Sequence, residues 1–253
     1  MRLLFTLALA ILWLVPTAVL QAQTTPAKPQ LFHIHEDPVM PTMVDEYERA
    51  SKELVSQCRK YGIHVGWLTV QDNDHRYYII EPIEHMADLD KDPLAPLQEK
   101  IGKEVFSTLL ADFDKCYPSH RDYILIYLPQ YSYATDQNNP SEYAYRGYDY
   151  FYYEPQHQRK IEDLFNRFKK LYTSKAGKIP YNVYMSRFGT TENFILVEDL
   201  ATSQAEFKAR NTANTEEFRV GFKNLFAEMK PFIRRIESRI GHFRPDLSYS
   251  ATK

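Results

Sequence analysis

His33 and His35 stand one residue apart and are followed at once by Glu36 and Asp37, which makes them the residues best equipped for chemistry. On an extended strand alternate side chains share a face, so two imidazoles at this spacing can act together. With Asp37 or Glu36 supplying an oxygen they form a candidate site for a divalent metal. Without a metal, either imidazole is a candidate base toward an activated carbon acid. No further ligands follow at a recognisable metal spacing. The expectation is therefore no cofactor, with the two histidines hydrogen-bonded in a polar interior.

Other chemistry is sparse. Glycine is scarce at 8 residues and no phosphate-binding loop occurs. No serine sits in a nucleophile elbow. Asp45-Glu46 and Glu216-Glu217 read as solvated helix faces. So does the basic cluster Lys230, Arg234, Arg235 and Arg239, whose spacing is helical. Tyr143, Tyr145, Tyr148 and Tyr150 read as a strand or a binding strip. The 31 basic residues are balanced by 33 acidic ones, and nothing in that balance points to nucleic acid, whose phosphates want a basic face.

The elements that must position these groups come twice. Leu31–Glu36 reads as a strand. A helix follows with Pro41 in its first turn and an inward face of Val44, Tyr47, Ser51, Leu54, Cys58 and Tyr61. Gly62 ends it. Val65–Val70 and Arg76–Glu81 form a hairpin about Asp72-Asn73-Asp74. A second helix buries Leu97, Ile101, Val105, Leu109 and Phe113, and Tyr123–Leu128 is the fourth strand. The order restarts with Tyr150–Tyr153, a helix over Arg159–Ser174, strands at Tyr181–Phe188 and Asn193–Glu198, a long helix carrying Phe218, Phe222, Leu225, Met229 and Ile233, and a strand at Ile240–Arg244. Pro231 should kink or split that last helix. A shift of about 117 positions superposes the two halves: Glu36-Asp37-Pro38 on Tyr153-Glu154-Pro155, Tyr47 on Leu164, and Trp67 on Tyr184.

The chain is divided as follows. Arg2 and the apolar run Leu3–Leu20 read as a signal peptide, 1–22, cleaved after Ala22. The lead-in is 23–30, the first repeat 31–133, the connector 134–145, the second repeat 146–249 and the tail 250–253. The expected product is exported, periplasmic or secreted, with no membrane span after cleavage. Cys58 and Cys116 are expected to remain unpaired, because each ends a helix and the two helices run in opposite directions.

Strand, helix, strand, strand, helix, strand is the split ferredoxin-like unit. In that order and in its duplication, the chain from Leu31 to Tyr249 resembles a tandem member of the dimeric α+β-barrel superfamily. That group includes antibiotic-biosynthesis monooxygenase-like domains, NIPSNAP-like proteins and chlorite dismutase relatives. The opening His33-Ile34-His35-Glu36-Asp37-Pro38 is also similar to that of exported bacterial proteins of this type. The resemblance implies an α+β fold in which two antiparallel sheets face each other as an intramolecular barrel with helices outside. It also implies haem as a relative's cofactor, for which His33 or His35 would be the axial ligand. No catalytic signature carries over residue by residue.

Strand alternation then assigns faces. Phe32, Ile34 and Phe151 should meet the helices, and His33, His35, Trp67, Tyr150, Tyr152 and Tyr184 should line the barrel as a ligand site. The leading functional expectation is a non-enzymatic protein binding a small hydrophobic or aromatic ligand, or a partner. The alternative is a cofactor-free oxygenase using a barrel-interior histidine. A cavity touching both histidines would favour the second.

Overall fold

The structure, a computed structural model, describes residues 28–134 and 142–251. The expected signal peptide, most of the lead-in and residues 135–141 of the connector lie outside the described residues.

The first half runs β1 (Gln30–Pro38), α1 (Val44–Tyr61), β2 (Gly66–Asp72), β3 (Arg76–Ile83), α2 (Ala95–Ile101), α3 (Lys103–Asp114) and β4 (Arg121–Tyr127). The second runs β5 (Tyr145–Tyr153), α4 (Gln158–Ser174), β6 (Tyr181–Ser186), β7 (Asn193–Ala201), α5 (Gln204–Met229) and β8 (Ile233–Phe243), and a short β9 (Tyr249–Ser250) follows. Each half pairs its strands as a ferredoxin-like sheet. β4 then pairs with β6, and β8 with β2, so eight antiparallel strands close into a barrel with helices outside. The closure leaves β9 as an addition along β2.

Local rules account for the helix ends. Gly62 takes a left-handed φ of 61° after α1, and the Ile63 N–H caps the Cys58 carbonyl at 3.0 Å. Gly102, at φ 85°, divides the expected second helix in two. Just past the break Phe106 is buried and Val105, expected inside, is 57% exposed, whereas Leu109 is buried as expected. Pro231 does end α5, but the chain beyond it is strand. Arg234, Arg235 and Arg239 therefore belong to β8 and not to a helix. Arg235 stacks 3.3 Å above the Tyr152 ring at the barrel mouth.

The barrel interior is packed by Ile34, Val70, Tyr78, Tyr123, Leu125, Tyr148, Tyr150, Tyr152, Phe194 and Leu196, with Phe32 and Tyr184 against them. This corrects five of the nine expected faces. Tyr150, Tyr152 and Tyr184 do point between the sheets, and Phe151 joins the helix-side core with Ile161 and Phe165. His33, His35 and Trp67 instead lie on the helix side of the first half, and Phe32 and Ile34 lie inside the barrel. One cause is the expectation that the helix side of β1 is apolar, which fails because a cavity lined by His33, His35, Asp37 and Glu81 lies there; the other is the repeat register. The 3-10 turns that open α1 and α4 begin at Pro41 and Pro155, so Pro155 corresponds to Pro41 and not to Pro38. An error of three residues is odd, and an odd error exchanges the two faces of every strand.

Candidate functional site

The helix side of β1 carries His33, His35 and Asp37, and strand register chooses their neighbours. His33 pairs with Glu81 on β3, and His35 pairs with Asp122 on β4. Residues opposed in this way bring their side chains together on one face. His33 Nδ1 lies 3.1 Å from Glu81 Oε2, and its Nε2 lies 2.9 Å from Asp122 Oδ1. The same Asp122 oxygen is 2.9 Å from His35 Nδ1. Beyond His35, its Nε2 approaches Asp37 Oδ1 at 3.0 Å. The Tyr47 hydroxyl of α1 donates to Asp37 Oδ2 at 2.7 Å. Carboxylates and imidazoles thus alternate from Glu81 through His33, Asp122 and His35 to Asp37.

Carboxylates only accept hydrogen bonds, so this arrangement favours protonated rings. The Glu81 hydrogen bond, joined by Asp122, holds His33 above its ordinary value against burial. Burial would lower His35, but Asp37 and Asp122 outweigh it and push it up to about 9. Asp122 feels burial in the opposite sense, and the two imidazoles still hold it below the usual carboxylate range. The histidines are therefore better suited to donate a proton, or to face an oxyanion, than to serve as the free bases expected from sequence.

This chain of groups lies along a cavity of about 380 Å³ between the sheet and helices α1 and α3. Leu54, Val65, Trp67, Ile79, Leu94, Leu110, Phe113 and Tyr117 give it apolar walls. Its shape is that of a small-molecule pocket, apolar with a few convergent polar groups. Both histidines touch it. Trp67 is fixed there by its Nε1–H, which donates to the Leu247 carbonyl at 2.9 Å.

The other expected site residues are elsewhere. Tyr150 and Tyr152 border a pocket of about 160 Å³ at the barrel mouth, with Glu36, Arg121 and Arg239. Tyr184 donates to buried Glu198 at 3.0 Å. The second half has its own helix-side cavity of about 410 Å³, lined by aromatic rings and Asp199, with no histidine among its lining residues.

Sequence reasoning missed Glu81, Asp122 and His120. The signal was available in part: Glu81 and Asp122 are charged residues at alternating positions of apolar strands. Assigning them to the histidines' face needed the correct strand register. His120 precedes β4 and joins His35 and Asp37 as a third donor, with the three ligand atoms within 4.8 Å of one another. His33 does not belong to that trio. The residues do not fit a haem. Both His33 nitrogens face carboxylates, and His35 Nε2 stands only 3.0 Å from Asp37 Oδ1, which leaves no room for a haem between them.

A scan of protein-family models and a search of curated proteins find no match to this chain. Solved structures do match it. An anthrone oxidase-like protein superposes with TM-score 0.60 at 14% identity, covering 88% of this chain and 94% of the other. A candidate monooxygenase from Fusobacterium nucleatum subsp. nucleatum gives 0.53 at 12%, covering 90% and 100%. A second, from Lactobacillus acidophilus NCFM, gives 0.52 at 10%, covering 88% and 97%. The chain has the dimeric α+β-barrel fold. At these identities the likeness shows the fold alone. No helix among the described residues is long and apolar enough to cross a membrane.

Proposed function

We propose that this protein is an oxygenase-like enzyme acting on a small apolar, aromatic carbon acid in the cavity beneath α1 and α3. One observation carries the reading: an unbroken file of carboxylates and imidazoles opens into an apolar pocket of substrate size. Such a pocket desolvates an aromatic ring; the Glu81 carboxylate, which lines it, can take the substrate's proton, while the protonated His33 beside it faces the developing oxyanion. Dioxygen is the oxidant. For a substrate of the anthrone type, a ring methylene becomes a carbonyl, and the second oxygen atom leaves as water. The superposition with an anthrone oxidase-like protein supports this class by analogy.

The non-enzymatic binder, which led the expectations from sequence, ranks second. A pocket meant only for binding has no need of linked carboxylates and imidazoles. Oxygen uptake with anthrone as probe separates the two. Catalysed uptake should exceed the spontaneous rate and fall about 10²-fold or more in His33→Gln. Binding of anthrone without accelerated uptake would favour the binder, and neither binding nor uptake would remove this substrate class.

We also infer that residues 1–22 direct export and are removed. N-terminal sequencing of protein from its host should begin at Gln23, and an intact Met1 would overturn the inference.

A further inference from the structure

We propose that His35, Asp37 and His120 bind one divalent first-row transition metal ion at the edge of the helix-side cavity. The location deepens the reading of that cavity as the working site, while the binding claim rests on the geometry of the three donors.

The donor atoms are already gathered, all within 4.8 Å of one another. His35 Nε2 and Asp37 Oδ1 are 3.0 Å apart. Two donors each about 2.1 Å from one ion and at right angles to each other are separated by about that distance. The approach is close, but it is misaligned for a hydrogen bond. Asp37 Oδ1 is left buried without a hydrogen-bond partner, in a residue only 3% exposed. The nearby His35 ring answers its charge but makes no aligned hydrogen bond to it, and an ion between the two atoms would give both a partner.

The surroundings select which atoms are free to bind. Asp122 occupies His35 Nδ1, which leaves Nε2 toward the trio. Tyr47 occupies Asp37 Oδ2, which leaves Oδ1. A carboxylate behind a ligand imidazole and a hydroxyl behind a ligand carboxylate are the contacts that orient metal ligands and raise their basicity. His120 is exposed, and its ring centre lies 5.0 Å from that of His35, so it can close on an ion without disturbing the core.

The donor set also narrows the metal. Two imidazoles and one carboxylate suit zinc, iron, cobalt or nickel more than calcium or magnesium, which prefer all-oxygen sites. Three protein ligands leave positions open toward the cavity, as in sites that bind a small molecule or water at the ion.

Cobalt(II) tests this directly. Full-length protein stripped with chelator is titrated with Co²⁺, followed by its visible d–d absorption and by calorimetry. The expected result is one ion per chain. His120→Ala, at an exposed position, should weaken binding about tenfold or more. His120→Cys, which restores a donor, should recover binding and add a thiolate-to-cobalt charge-transfer band. His64→Ala, at an exposed histidine outside the cavity, should bind as the parent does. No binding by the parent protein, parent-like affinity in His120→Ala, or equal loss in His64→Ala would each overturn the site. Turnover is not read, so failure here leaves the oxygen-uptake reading to its own test.

Discussion

His35 and Asp122 face each other across β1 and β4, with His35 Nδ1 2.9 Å from Asp122 Oδ1. The same oxygen is 2.9 Å from His33 Nε2, so one carboxylate fixes two rings. Asp122→Asn replaces the anion that accepts from both rings by a neutral amide, a weaker acceptor that orients the imidazoles less well. Affinity for Co²⁺ should fall about 10–100-fold by calorimetry. Parent-like affinity would mean that Asp122 does not orient His35.

Strand faces can be tested by stability. Ile34 is 4% exposed inside the barrel, between His33 and His35 on the opposite face. Ile34→Ala should cost about 2–5 kcal/mol in urea unfolding, because it leaves a cavity among packed rings. His33→Ala should cost less, since its ring lies along an open cavity. The reverse order would return the histidines to the interior.

That test bears on what the sequence could disclose. Element order, duplication and the inward stripes of α1 and α4 were legible. The stripes were legible even with Pro38 wrongly matched to Pro155. A displacement of three residues is close to one helical turn, so Tyr47 matched Leu164 where the structure matches it with Ile161, and both are buried. Strands repeat every two residues and do not forgive an odd displacement, so a shift of 117 sets Trp67 against Tyr184 and points it to the wrong face. The site was half legible for the same reason. His33, His35 and Asp37 announce themselves on one strand, whereas Glu81, Asp122 and His120 join them only through pairing register and a loop.

The second half keeps a buried ion pair at the barrel interior. Arg146 and Glu198 are 6% and 4% exposed, and Arg146 donates from an Nη atom to Glu198 at 2.7 Å. Asn182, Tyr148 and Tyr184 also donate to Glu198. Arg146→Met should leave that carboxylate without its cation and cost about 3–5 kcal/mol. A loss under about 1 kcal/mol in denaturant unfolding would mean that the tyrosines and Asn182 suffice to hold the charge.

Asp199 makes stability depend on pH. Burial, with Asp149 and Glu198 nearby, pushes its carboxyl up from the ordinary 3.8 to about 7. Between those values the folded state holds a proton that the unfolded state has released. Stability from this group is therefore present below pH 4, declines as pH rises, and reaches its floor above pH 7. The side chain lines an open cavity, so the decline should be about 1–2 kcal/mol. Asp199→Asn should abolish it. An unchanged decline in that variant would place its origin in other groups.

The cysteines offer the last test. Cys58 lies in the core under α1 with Trp67 and Tyr249, and Cys116 lies in a separate cluster with Tyr47, Tyr77 and Leu247. Both are free and both are buried. Burial pushes the Cys58 thiol up to about 11 and raises Cys116 as well, so neither presents a thiolate at neutral pH. In an oxidising compartment such thiols persist because oxidant cannot reach them and no partner stands within bonding reach. Native protein should react slowly with a disulfide reagent, at a rate limited by opening of the structure. Denatured, non-reduced protein should titrate two thiols per chain. A native protein that reacts as fast as free cysteine would place these residues at the surface. A denatured chain with no thiols would show a bridge, which two separate clusters beneath α1 and α3 do not allow.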